Sequence, residues 1–378
     1  MDFWNRPQRG ANSFNATPPG AAYFKALMDT GATWVRLTFT KWRGRERDFL
    51  LGNADNYEGI VAEDLIILRR VLDAAHLAGL RVVLTPLSLP GARWIQHNEG
   101  AFDDRLWLNP VYARQAVDFW RDLARVMKDH PAIAAYNLLN EPAPEKTTGL
   151  VENDAMPKLR AWQSEVQGTT RDLPALYRQK ITAIRVIDPV TPVMVDAGYY
   201  ANPRSLAAWP DQLADDRVLY AIHMYEPYNA TSAGNMRRKA PLRYPGVKSR
   251  YAGGEQVWNR AAVAAHIDIA FDWVEAQGLP ATRLVVAEFG CMRRWPDCAA
   301  YLTDVIDSVD KRGGHWAFYA FREDDWEGMD YELPQNFSPG RFYWLTEQGK
   351  TDRLPRNGEL MSLLRYRMRN QTPGRPSR

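Results

Sequence analysis

The sequence predicts an α/β chain folded as a single (β/α)8 TIM barrel with long βα loops. Three observations predict it. Short apolar runs alternate with longer segments of helical periodicity, about eight times along the chain, which is the order of βα units around a parallel sheet. Several apolar runs are unbroken Val, Leu, Ile and Ala, as strands covered on both faces require. The 378 residues exceed the roughly 250 of a bare barrel, and the surplus falls after the strands.

The expected strands are Gly10–Phe14, Trp34–Thr38, Arg81–Pro86, Ile133–Leu139, Pro192–Asp196, Val218–His223, Leu284–Glu288 and His315–Ala320. Between them run the expected helices. Glu63–Ala78 is the clearest, with Leu65, Leu68, Leu72 and Ala75 on one face and Gly79 as a stop signal. Val111–Lys128 follows, bracketed by Pro110 and Pro131, then Ala175–Ile187, Arg260–Gln277, Cys298–Arg312 and Gly358–Met368. Long segments follow five strands: Thr40–Gly59, Leu87–Asn109, Glu141–Arg171, Glu226–Asn259 and Arg322–Lys350. All lie on the C-terminal side of their strands, where barrels build active sites. A doubly wound sheet is the alternative, but no glycine-rich nucleotide loop supports it. One barrel over residues 1–369 is expected. The tail Asn370–Arg378 holds two Pro, two Arg and no apolar residue, and is expected to be disordered.

Composition narrows the functional class. Hydrophobic residues make up 46% and charged residues 25%, close to a globular average. No run approaches the roughly 18 apolar residues of a membrane span. Lys plus Arg is 48 against 45 Asp plus Glu, too balanced to argue for nucleic acid. With two cysteines, Cys291 and Cys298, neither a disulfide-dense scaffold nor a four-Cys zinc site is possible. Their short separation permits a local disulfide and equally permits free thiols. Met1–Arg6 lacks an apolar core, so no signal peptide is expected there. Removal of a signal would place the protein outside the cell or in the periplasm; otherwise it is cytoplasmic.

Two strand ends carry the chemistry. Tyr136-Asn137-Leu138-Leu139-Asn140-Glu141-Pro142 ends an apolar strand in an amide, a carboxylate and a proline. Glu141 is either aimed at the barrel mouth or merely exposed in a turn. Leu284-Val285-Val286-Ala287-Glu288 runs an apolar strand straight into a second carboxylate. An unpaired buried Glu is costly, so Glu288 needs a mouth position or partners. These are the fourth and seventh strands, and parallel strands bring both carboxylates to one face. Paired carboxylates across a cleft suit glycoside hydrolysis, one protonated and one ionised. His223 and Tyr225 alternate after the sixth strand and point to one side. Tyr225 suits a bond to the nucleophile and His223 a contact with the acid or the sugar; a satisfied core His beside a packing Tyr is the rival. Arg36, inside Trp34-Val35-Arg36-Leu37-Thr38, demands an anionic partner. Glu288 would satisfy it, as would a purely structural salt bridge.

These motifs, with Arg9-Gly10-Ala11-Asn12 at the first strand, resemble glycoside hydrolase family 5, the cellulase-like retaining β-glycosidases of the four/seven barrel superfamily. The resemblance runs from about Arg9 to Ala320. It implies that Glu141 is the acid/base, Glu288 the nucleophile, and Asn140 a contact to the sugar 2-hydroxyl. It also implies that Arg36 and Tyr225 tune the nucleophile and that His223 lines the central subsite. The implied reaction cleaves a β-glucan-type oligo- or polysaccharide by double displacement, without metal or organic cofactor, in a monomer. A β-mannanase or transglycosylase on the same machinery, or a glycan-binding pseudoenzyme, are the alternatives.

Two departures bear on the sugar. The family carries a His near the end of strand three; here the stretch is Thr85-Pro86-Leu87-Ser88-Leu89-Pro90-Gly91, and Ser88 or a neighbour takes its place. The family ends strand eight with a Trp; here Trp316-Ala317-Phe318-Tyr319-Ala320-Phe321 offers Tyr319 or Phe321. Loop aromatics Trp94 and Trp326 are candidate stacking surfaces, with Trp42, Trp162 and Trp295 as further ones that could equally pack loops. Asp324, Asp325, Glu327 and Asp330 cluster after strand eight and could meet hydroxyls or solvent. Basic groups recur in the loops: Arg43, Arg45, Arg47, Arg93, Arg237, Arg238, Lys239, Arg293 and Arg294. Converging on the mouth, they would indicate an anionic glycan; otherwise they form a solvated rim.

Overall fold

The computed structural model describes residues 1–324, 328–335 and 358–370. Eight parallel strands close a barrel. They are β1 (Arg9–Ser13), β2 (Trp34–Thr38), β3 (Arg81–Thr85), β4 (Ile133–Asn137), β5 (Val193–Asp196), β6 (Val218–Met224), β9 (Leu284–Phe289) and β10 (His315–Phe318). Around the barrel the order is β1-β10-β9-β6-β5-β4-β3-β2. A two-stranded antiparallel hairpin, β7 (Lys248–Tyr251) and β8 (Gly254–Val257), stands apart in the loop after β6. Helices Ala62–Leu77, Pro110–Met127, Leu173–Arg185, Arg260–Ala276, Cys298–Arg312 and Glu359–Arg369 lie where the periodicity places them. Among the described residues no helix is long and apolar enough to cross a membrane.

The barrel interior is layered by side-chain size. Trp34, Val83, Ala135, Met194, Leu219, Ala221, Val285, Ala287 and Ala317 fill its lower half. The many alanines make room for Trp34. So does Gly10, where a Cβ would meet the Trp34 ring at 2.7 Å. Trp4, from the short helix Asp2–Asn5, packs against this layer, and its indole N–H donates to Ala134 O (3.0 Å). Above the apolar layer, Asn12, Arg36, Asn137, Asp196 and Glu288 form a buried polar layer at the C-terminal ends of the strands.

Some boundaries differ from the sequence reading, for local reasons. β4 stops at Asn137 rather than Leu139. Beyond it, Leu138 O accepts from the Trp120 indole and Lys180, from the helices outside the barrel. β10 stops at Phe318 rather than Ala320, because the chain turns there. The helix Ala21–Met28 lies in a stretch to which the sequence reading assigned no element, and the helix Met156–Glu165 and the β7–β8 hairpin lie in stretches read as loops. The first two lack a side-chain N-cap, so the usual start signal is missing. The cysteines are paired, Cys291 to Cys298. Replacing both by Ser is expected to lower unfolding stability by about 2 kcal/mol, the loop-closure value for so short a ring, read by urea denaturation. Of the expected tail, Asn370 follows the last helix and residues 371–378 lie outside the described residues.

Candidate active site

At the C-terminal end of the barrel opens a cleft of about 820 Å³. Its floor is built around Arg36. Burial takes this guanidinium out of water, so every donor needs an acceptor. Nη1 donates to Glu288 Oε1 and Asn12 Oδ1, Nε to Asn137 Oδ1 (2.9 Å), and Nη2 to Asn140 Oδ1 (2.7 Å) and Asp196 Oδ2 (3.1 Å). Both readings of Arg36 therefore hold: it supports Glu288 and it makes a structural bridge to Asp196.

Glu288 is buried at the end of β9, with Arg36 on Oε1 and the Tyr225 hydroxyl donating to Oε2 (2.9 Å). Burial raises its pKa. His223, Arg36 and the Tyr225 bond pull it down, while Glu141 pushes it up. Glu141 sits opposite, partly open to the cleft, and its carboxyl oxygen lies 2.8 Å from His223 Nδ1. Burial pushes Glu141 up to about 7; Asp196 adds to the rise and Arg36 opposes it. Burial also lowers His223, against Glu288 and Asp196. Single oxygens of Glu141 and Glu288 and a ring nitrogen of His223 all lie within 4.8 Å of one another.

Local backbone geometry holds this arrangement. A register shift in the β6–β9 ladder between Ile222 and His223 brings His223 directly opposite Glu288, the kind of re-aiming that bulges perform beside sites. Glu141 adopts φ +49°, a left-handed conformation that costs on the order of 1–3 kcal/mol in a non-glycine residue. Its N–H is anchored on Asp196 Oδ2 (3.0 Å). Asp196 thus ties together Arg36, Asn137 and Glu141. The sequence reading did not single it out, although it ends β5 as a carboxylate after an apolar run, the same pattern that marks Glu141 and Glu288. Asp196→Ala is expected to cost about 3 kcal/mol, because it breaks a buried ion pair and leaves the Asn137 amide and the Glu141 N–H without their acceptor; urea denaturation reads the loss.

The remaining expected residues divide. Asn140, His223, Tyr225, Trp94 and Tyr319 line the cleft with the two glutamates. Phe321 does not: it is fully buried, edge-on to Tyr23, because the chain leaves the strand alternation after Phe318. Ser88 does not stand in for a missing sugar contact. It is buried, and its Oγ accepts from the Trp94 backbone N–H (2.9 Å). Trp42 and Trp295 are buried in the core, and Trp162 packs against a small cluster with Leu159 and Tyr199. Trp326, Asp325 and Glu327 lie outside the described residues. Asp324 accepts from Ala16 and Thr17 N–H, and Asp330 is buried near Glu332.

The loop cations do not converge. Arg93 is buried against Asp48 and Asp55, and Arg47 pairs with Asp55. Among the described residues the cleft wall carries Glu141, Glu152, Glu226, Glu288 and Glu323 against a single Lys41. That balance opposes an anionic ligand. Missed by the sequence reading were Lys41, Glu152, Glu226 and Glu323. They stand in loops, where residue spacing carries no periodic signal.

Comparison with known proteins agrees with this geometry. The family model described as cellulase, glycosyl hydrolase family 5, matches residues 5–325. A β-xylosidase of Phanerodontia chrysosporium is 23% identical over 83% of this chain and 58% of its own length. An endoglucanase C of Acetivibrio thermocellus is 26% identical over 61% of this chain and 58% of its own length. The chain thus spans under two thirds of the curated relatives it matches. Among solved structures, the Pseudomonas stutzeri endoglucanase Cel5A superposes with TM-score 0.65 at 18% identity, covering 97% of each chain. Thermotoga maritima Cel5A bound to mannotriose gives 0.63 at 16%, covering 94% of this chain and 97% of that one. A closed parallel barrel, carboxylates at the ends of its fourth and seventh strands, and a family match across most of the sequence lead to one assignment: the chain belongs to glycosyl hydrolase family 5.

Proposed function

We propose that the protein is a retaining β-glycosidase acting on a neutral β-glucan-type oligo- or polysaccharide. The observation that carries this reading is the approach of Glu141 and Glu288 oxygens to within 4.8 Å. Retaining enzymes hold their carboxyls about 5–5.5 Å apart, and inverting ones about 6.5–9.5 Å to admit a water.

In the first step a Glu288 oxygen attacks the anomeric carbon. The glycosidic C–O bond breaks, and the Glu141 proton passes to the leaving oxygen. In the second step water attacks the same carbon, its proton returns to Glu141, and the bond to Glu288 breaks. Two inversions give net retention. The environments support opposite charge states. Glu288 has Arg36 and Tyr225 donating to its two oxygens, which favours the ionised form. Glu141 receives no side-chain cation and is protonated up to about pH 7. Once Glu288 is esterified its negative charge is gone. Glu141 then ionises more readily, as its role as base requires. Asn140 has its Oδ1 taken by Arg36, which leaves Nδ2 to donate to the sugar 2-hydroxyl.

Relatives named for endoglucanase and β-xylosidase activity, and a hyperthermophilic endo-β-1,4-glucanase solved with its substrate, support a β-linked neutral glycan. Mannotriose and cellobiose complexes of one structural neighbour make mannan the second arm of any assay. The test is sugar release from β-glucans, mannan, xylan and aryl β-glycosides. Activity on one neutral class is expected. Activity confined to uronate polymers would overturn the substrate reading.

A further inference from the structure

Resting on the retaining β-glycosidase reading, we propose that Glu323, braced by Lys41, is a specificity-determining residue whose Oε2 accepts a hydrogen bond from a hydroxyl of the sugar on the nucleophile side of the scissile bond. Four observations carry it. Glu323 is 4% exposed and lines the cleft. Its Oε1 is saturated, accepting from Lys41 Nζ (3.0 Å) and the Tyr319 hydroxyl (3.0 Å). Its Oε2 is buried without a hydrogen-bond partner among the described residues. A buried carboxylate oxygen left unpaired costs more than a bond to it returns, so the site is incomplete until a donor arrives. In a cleft of this kind the donor is a substrate hydroxyl.

Position says which sugar. Tyr319, bonded to Glu323, stands at the end of β10, beside the β9 strand that ends in Glu288. Phe14, at the end of β1, packs edge-on against Tyr319 (5.3 Å) and lies beneath the Arg36 guanidinium (5.6 Å). This wall flanks the nucleophile and lies across the barrel from β4, whose end leads into Glu141. The sugar held there is the one that becomes covalently bound. Lys41 also sits 5.1 Å from the centroid of the Trp94 ring, so the same lysine fixes the acceptor and the nearby aromatic face. An acceptor fixed by two partners discriminates sharply, because a sugar lacking the hydroxyl leaves it stranded.

The test uses the full chain, Glu323→Gln and Lys41→Met, with the aryl β-disaccharide that the substrate panel ranks first. Its derivatives deoxygenated one hydroxyl at a time are assayed beside it. Glu323→Gln is expected to lower kcat/KM on the order of 10- to 100-fold, mostly through KM. For one deoxy derivative the wild type should lose a similar factor and the variant almost nothing more. Lys41→Met should give the same pattern more weakly. An unchanged KM in Glu323→Gln overturns the proposal. So do losses that simply multiply on every derivative, since that pattern marks a structural role. Melting temperatures separate misfolding from lost binding. Wild-type turnover that disappears in Glu288→Gln keeps the parent reading in place whichever way the Glu323 result falls.

Discussion

Glu288→Gln is expected to lower turnover by at least about 10⁴-fold, the scale on which covalent machinery fails when its nucleophile is removed. The substitution keeps the shape and removes the charge. Arg36 would still reach an amide oxygen at that position, and the Arg36–Asp196 bridge persists. The fold should therefore survive, and a melting curve close to wild type with no sugar release is the expected pair of results. Retained turnover would move the nucleophile elsewhere. The variant should also bind the substrate that it no longer cleaves, which calorimetry can read.

Glu141→Ala is expected to cost about 10²- to 10⁴-fold on natural glycans, the range for general acid–base groups. Aryl glycosides with acidic leaving groups need no proton from the enzyme, so their first step should be nearly unaffected. The second step then stalls, and added azide should restore turnover and yield a β-glycosyl azide. The pH profile supplies a sign. Glu141 is raised to about 7 by burial, and the first step needs it protonated. Wild-type activity on glycans should fall as pH rises through about 7. In the alanine variant that alkaline fall should vanish, because the titrating group is gone. An unchanged alkaline limb would show that another group controls it.

Apart from Arg36, a charge inside an apolar strand, and Trp94, a loop aromatic, the parts of this site legible in the sequence share one property: they sit at strand ends, where apolar patterning fixes both strand direction and the face on which the next residue emerges. Glu141, Glu288, His223 and Tyr225 are all of this kind. Asp196 carries the same signature, yet its partners Arg36, Asn137 and Glu141 lie on three chain segments that only the closed barrel brings together. Phe321 shows the limit of alternation. The rule was carried past Phe318, where the strand ends, and it mis-aimed the ring. Glu323 lies beyond that point too, and its importance comes from Lys41, contributed by a loop some 280 residues away. Trp42 and Trp295 look like Trp94 in sequence, but packing turns their indoles inward. The loop arginines were readable either as a cationic mouth or as a solvated rim; Arg93 is instead buried against Asp48, and such pairing leaves no trace in composition.

Net charge of the cleft follows from the same accounting. One lysine faces five glutamates among the described residues, and burial raises the carboxyl pKa values of Glu141, Glu152 and Glu323 to about 7 each. A uronate would add to that repulsion.

The most direct test of the double displacement is the configuration of the first product, followed by proton NMR on a β-linked substrate before mutarotation sets in. The account predicts that the β-anomer appears first and the α-anomer only later, as the sugar equilibrates. First appearance of the α-anomer would contradict it, and would mean that water, not Glu288, attacks the anomeric carbon.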